Sequence, residues 1–201
     1  MKRILSLFIL FLSLHLPYSC SEDECDSFTL LESRIKTIVS SIGSVEKNTF
    51  TDITTSSFLT AAIRFEITEM EFSEIAKTRN TEYHPLVSSA LACSPPEPEL
   101  AYDITKITLT GESAVSLATD EVQAGESLNS IFDVANYDHA SLDAFSDDLF
   151  DNKGLFGHIG AELILVMNEA PQEPISQRLT LRLDFSDGTF LELETTNFEI
   201  N

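Results

Sequence analysis

Beyond residue 27, apolar and polar residues alternate with a period of two, the pattern of strands that bury one face and solvate the other. Ile63, Phe65 and Ile67 alternate with Arg64, Glu66 and Thr68. Ile107 and Leu109 alternate with Lys106 and Thr108 in the same way. The cleanest strand runs through Leu179, Leu181, Leu183 and Phe185, interleaved with Thr180, Arg182 and Asp184. A different pattern stands at Leu163-Ile164-Leu165-Val166-Met167, a continuous apolar run ended by Asn168 and Pro171. Such a run predicts a central strand covered on both faces.

The turn after the cleanest strand is set by register. Asp187-Gly188 invites a two-residue hairpin. That register places Leu183 opposite Glu192 and mixes core with solvent faces. A three-residue loop, Ser186-Asp187-Gly188, instead pairs Leu183 with Leu191, Leu181 with Leu193 and Arg182 with Glu192. Both faces then agree, and Gly188 takes the left-handed position of a bulge-type turn.

Helical signal is sparse. Leu142, Phe145 and Leu149 fall at i, i+3 and i+7 behind Ser141, a good N-cap, and predict a helix over 141–150. A second short helix is expected from Glu126 to Phe132. Residues 80–100 read as loop, with Ser94-Pro95-Pro96-Glu97-Pro98 favouring extended polyproline geometry. Short strands, one good hairpin and few helices predict a mainly β fold. The expected form is a β-sandwich-like single domain, immunoglobulin- or transthyretin-like, over 28–201, with one or two short helical insertions.

The first 25 residues carry an address. Lys2 and Arg3 precede an almost purely apolar stretch from Ile4 to Leu16, the build of an export signal and too short to span a bilayer. It ends at Pro17-Tyr18-Ser19-Cys20, which resembles the lipobox of bacterial lipoproteins, with Pro17 and Tyr18 in place of the usual Leu and Ala or Ser. That resemblance implies a signal peptide over 1–19 and diacylglycerol on the Cys20 thiol. The alternative is ordinary cleavage near Ser19, with Cys20 left as a plain thiol. Ser21-Glu22-Asp23-Glu24 is similar to the surface-export signal of Flavobacteriia-type lipoproteins, within an acidic tether over 20–27. The likeness implies an outer-membrane lipoprotein facing the cell exterior; a solvated acidic tether on a periplasm-facing lipoprotein is the rival reading. Each buried acyl methylene adds ~0.8 kcal/mol of membrane affinity, so two or three chains hold firmly.

The resemblance extends further. Ala92-Cys93-Ser94-Pro95-Pro96-Glu97-Pro98, a strand from Ile104 to Thr110, Gly125-Glu126-Ser127-Leu128-Asn129 with Phe132, and the hairpin at Asp187-Gly188-Thr189-Phe190 follow in order. That order is similar to an uncharacterised family of Bacteroidetes lipoproteins. It implies location and fold and adds no catalytic residue.

Composition narrows the partners. Loss of a 19-residue leader from the 201 leaves 182 residues, enough for one domain with a real core. Lys2 and Arg3 leave with it, so 12 basic residues become 10 against 33 acidic ones, and the formal charge moves from −21 to −23. That field opposes nucleic acid and anionic lipid and suits divalent cations or basic partners. With Cys20 lipidated, Cys25 and Cys93 remain, an even number in an oxidising setting. Their disulfide is expected, closing a loop worth ~4 kcal/mol in the chain-entropy model; two free thiols are the alternative.

No reaction is legible. After the leader the histidines are His84, His139 and His158, with no HExxH, no GxSxG elbow and no phosphate-cradling glycine loop. No catalytic residue is expected. Asp133, Asp138, Asp143, Asp147, Asp148 and Asp151 crowd one segment. On the expected helix Asp143/Asp147 and Asp147/Asp151 are like-charge i, i+4 pairs, each costing ~0.2–0.5 kcal/mol. Ca²⁺ on Asp143, Asp147, Asp148 and Asp151 would offset that repulsion. The segment lacks the spacing of an EF-hand loop, and a solvated acidic face explains it as well. Glycan platforms use exposed Trp or Tyr; the chain has no Trp, and Tyr83, Tyr102 and Tyr137 remain, Tyr83-His84-Pro85 being the one candidate patch. The expected function is a non-enzymatic binding or structural module with a protein or glycan partner. The alternative is a calcium-dependent or glycan-binding component of nutrient uptake.

Overall fold

Every alternation read above lies in a strand of the computed structural model, which describes residues 30–46, 49–52, 60–75, 98–118, 120–137, 141–149 and 156–200. Glu32–Ser73 with Glu99–Asn201 make up one compact unit. Met1–Leu31 with Glu74–Pro98 group separately and lie almost wholly outside the described residues.

The fold is mainly β. In chain order the strands are β1 (Leu30–Glu46), β2 (Thr49–Asp52), β3 (Ala61–Ile75), β4 (Glu99–Leu100), β5 (Ile104–Gly111), β6 (Val115–Ser116) and β7 (Glu121–Val122). A 3₁₀ turn at Asn129–Ile131 leads into β8 (Phe132–Val134), followed by helix α1 (Leu142–Asp147). Then come β9 (Glu162–Met167), β10 (Ile175–Gln177), β11 (Leu179–Phe185), β12 (Phe190–Glu194) and β13 (Phe198–Ile200). One sheet has the order β2-β1-β3-β9-β8, with β4 joining β1 in parallel. A second has the order β12-β11-β5, and β10-β13 and β6-β7 form two small ribbons.

The core follows from strand parity. Ile63, Phe65 and Ile67 of β3 and Leu163, Leu165 and Met167 of β9 are buried in one apolar cluster. Ile107 and Leu109 of β5 and Leu179, Leu181 and Leu183 of β11 belong to the same cluster. Each such side chain contributes roughly 1.5–3 kcal/mol when fully buried. The apolar run at 163–167 does sit centrally, between β3 and β8. Its second face is covered too, since Ile164 is buried and Val166 half-buried.

The hairpin has the three-residue loop. Leu183 pairs with Leu191, Leu181 with Leu193 and Arg182 with Glu192. Phe185 N–H donates to Thr189 O at 2.9 Å, and Gly188 has φ of 83°. That left-handed backbone costs an L-residue roughly 1–2 kcal/mol and glycine almost nothing.

Two expectations shrink. The helix begins where the cap places it, with Ser141 Oγ accepting from Ala144 N–H at 3.2 Å, but it ends at Asp147. The helix expected from Glu126 to Phe132 reduces to the 3₁₀ turn. Its backbone is used elsewhere: Ser127 bridges Thr110, and Leu128 N–H donates to Leu109 O at 2.8 Å.

The same segment seals the outer edge of β5. The buried Asn129 amide accepts from Leu109 N–H at 2.8 Å and donates to Ile107 O at 2.7 Å, imitating a strand. Ser146 of α1 accepts from Ile107 N–H at 3.0 Å. Asn136 does for β9 what Asn129 does for β5, accepting from Ile164 N–H and donating to Glu162 O. Buried backbone groups thereby keep their partners beyond the last paired strand.

The 17-residue β1 carries no clean alternation. Ile35, Ile38 and Ile42 meet the core at i, i+3 and i+7, a helical spacing. On β3 the parity changes likewise, from Ile67 to Met70. The two strands run in opposite directions, as the contacts Ser41–Arg64 and Val45–Thr60 show.

Candidate functional site

Three elements meet around a cleft of ≈ 180 Å³ lined by Ser33, Arg34, Ile35, Leu100, Tyr102, Phe185, Asp187 and Thr189. β4 lies along β1 with Ser33 opposite Leu100, and Ala101 N–H donates to Ser33 O at 2.9 Å. The following loop is tied to the hairpin: Asp103 N–H donates to Ser186 Oγ at 3.1 Å and Ser186 N–H to Asp103 O at 2.9 Å. These bonds bring residues far apart in sequence to one wall.

The polar side chains are held from behind. Arg34 Nη2 donates to the Tyr102 hydroxyl at 3.1 Å, and its Cζ lies 5.0 Å from the Tyr102 ring centroid. Thr189 donates to Asp187 Oδ1 twice, from its hydroxyl at 2.6 Å and its N–H at 2.9 Å. These bonds, Thr189's hydroxyl foremost, hold the Asp187 carboxyl below its ordinary pKa, and the nearby Arg34 charge adds to the effect. No ion pair joins Arg34 to Asp187. Ile35, Leu100 and Phe185 supply half-buried apolar surface between them. The arrangement presents a cation, an anion and an apolar wall, the makings of a recognition site.

The other arginines among the described residues are consumed internally. Arg178 pairs with Glu112 at 2.6 Å and Glu194 at 3.1 Å. Arg182 pairs with Asp184 at 2.8 Å and Glu192 at 3.2 Å and lies 4.0 Å from the Phe190 ring centroid. Arg64 reaches Asp52 and Glu162. Carboxylate partners raise the pKa of Arg178 and Arg182, first through the hydrogen bonds these arginines donate to Glu112 and Asp184.

The residues singled out from sequence fall elsewhere. Cys20, Ser21, Glu22, Asp23, Glu24, Cys25 and Cys93 lie outside the described residues, as do Tyr83, His84, Asp138, His139 and Asp151. Asp143, Asp147 and Asp148 are exposed on α1 and its C-cap. Among the described residues no group of three or more His, Cys, Asp or Glu side chains is placed to hold a metal ion. His158 is exposed. Tyr137 stacks on Phe145 at 5.3 Å, and desolvation, with the Glu162 charge, pushes its hydroxyl up from the ordinary range. Of the two tyrosines among the described residues, Tyr102 lines the cleft. Sequence reasoning missed Arg34; Tyr102, as a remaining tyrosine, and Asp187-Gly188-Thr189, as a turn signal, were singled out without being brought together.

No protein-family model matches the chain, and no curated protein or solved structure is detectably similar to it. Among the described residues no helix is long and apolar enough to cross a membrane.

Proposed function

We propose that this chain is a surface-exposed outer-membrane lipoprotein of the Bacteroidetes type whose strand-rich domain is a non-enzymatic binding module. Cys20 carries the lipid, and Ser21 to Glu24 direct the protein to the outer face. The domain is sandwich-like: the inward residues of its two larger sheets share one apolar cluster, as two sheets packed face to face require. The observation that carries the binding reading is the cleft, where Arg34 and Asp187 stand at one apolar-walled opening without an ion pair between them.

Location is tested by metabolic labelling with an alkyne fatty acid and by protease shaving of intact cells. The wild-type chain takes the label, Cys20→Ser does not, and protease removes the domain without lysis. Label on Cys20→Ser, or protection from protease in intact cells, overturns the anchoring or the outward orientation respectively.

A further inference from the structure

The charges at the cleft narrow what it takes, an inference that rests on the binding-module reading. A plain anion would meet Arg34 but also Asp187, in a chain of formal charge −21. A plain amine would meet Asp187 but also Arg34. A molecule bearing both charges satisfies both residues at once. Tyr102 orients the guanidinium, and both Thr189 bonds fall on Asp187 Oδ1, leaving Oδ2 for another donor. The half-buried side chains of Ile35, Leu100 and Phe185 favour an apolar substituent. The space, ≈ 180 Å³, suits a group the size of a single amino acid.

We propose that the cleft binds a free α-amino acid with an aliphatic side chain. The carboxylate pairs with Arg34, the ammonium group with Asp187, and the side chain lies on Ile35, Leu100 and Phe185. Arg34 and Asp187 are both exposed, and charge pairs of that kind are each worth up to about fivefold in affinity. Asp187 stays ionised well into the acid range, so the ammonium partner is present at neutral pH.

The test is isothermal titration of L-leucine into the purified full chain at neutral pH and low salt. Saturable heat is expected, with binding about two- to fivefold weaker for leucinamide, which lacks the carboxylate, and for 4-methylpentanoate, which lacks the ammonium. Arg34→Gln should abolish the preference for leucine over leucinamide, and Asp187→Asn the preference over 4-methylpentanoate. The analogues probe the unaltered chain, so that comparison does not depend on how a variant folds. No saturable heat up to about 10 mM leucine, or equal binding of both analogues, overturns the inference. Saturable heat with Ca²⁺ or a carbohydrate and none with leucine also overturns it, while leaving the binding-module reading standing.

Discussion

Arg178 and Arg182 on the outer face of the β11–β12 sheet and Arg34 at the cleft are the same side chain put to opposite uses. Each of the first two is clamped between a pair of carboxylates, Arg178 by Glu112 and Glu194 and Arg182 by Asp184 of its own strand and Glu192 of β12. Arg34 has an oriented guanidinium and an acidic neighbour, yet its hydrogen bond goes to a neutral hydroxyl. Where both partners come from the fold itself, the polar groups hold register and edges. At the cleft the fold brings two charges from different elements and does not join them. The side-chain amides of Asn129, buried, and Asn136, exposed, extend the first case, since each saturates backbone groups that no strand reaches.

That contrast breaks most visibly at Asn129. Asn129→Ala strands Leu109 N–H and Ile107 O without partners in the interior, and a loss of about 2–4 kcal/mol is expected. Urea denaturation measures it, and a loss below about 1 kcal/mol would mean that internal pairing at this edge is not what stabilises it. A smaller effect is expected at the cleft rim. Gly188→Ala meets no atom within 4 Å of the added Cβ, so its cost is the left-handed backbone alone, about 1 kcal/mol. An unchanged urea midpoint would show that the turn relaxes freely and does not hold Asp187 in place.

The smallest effect is in pH. Asp187 titrates below its ordinary range in the folded chain, as does Glu69, which Thr37 and Lys36 bond. In that window the native state binds fewer protons than the unfolded chain, so stability rises with pH through it. The contribution is complete above about pH 4 and is lost as pH falls through the lowered native value. The stability difference between the wild-type chain and Asp187→Asn is therefore expected to shrink below about pH 4. A difference constant from pH 7 to pH 2 would sink the account of Asp187. Tyr137 has the opposite sign: its raised pKa contributes stability below about pH 10 that is lost as pH climbs through the raised value.

The hairpin was legible down to its register because a one-residue slip would turn every leucine outward, and only one loop length avoids that. The cap at Ser141 was legible because the bond it makes is local, three residues long. β1 was hidden because its core residues are spaced as on a helix: the parity changes along the strand, and periodicity alone cannot tell the two apart. The 3₁₀ turn at 129–131 was overread as a helix because the competing partner, the edge of β5, is distant in sequence.

Local rules thus suffice wherever partners are close in the chain. Alternating side chains, a left-handed glycine and a capping serine are all written within a few residues of one another. The cleft is not. Arg34 and Tyr102 meet through the parallel pairing of β4 on β1, and Asp187 joins them through the Asp103–Ser186 bonds. No period or motif encodes the placing of residues 34 and 187 at one cleft. Such contacts arise only when separate strands bury their apolar faces in a common core, and the polar residues left at the margin become neighbours.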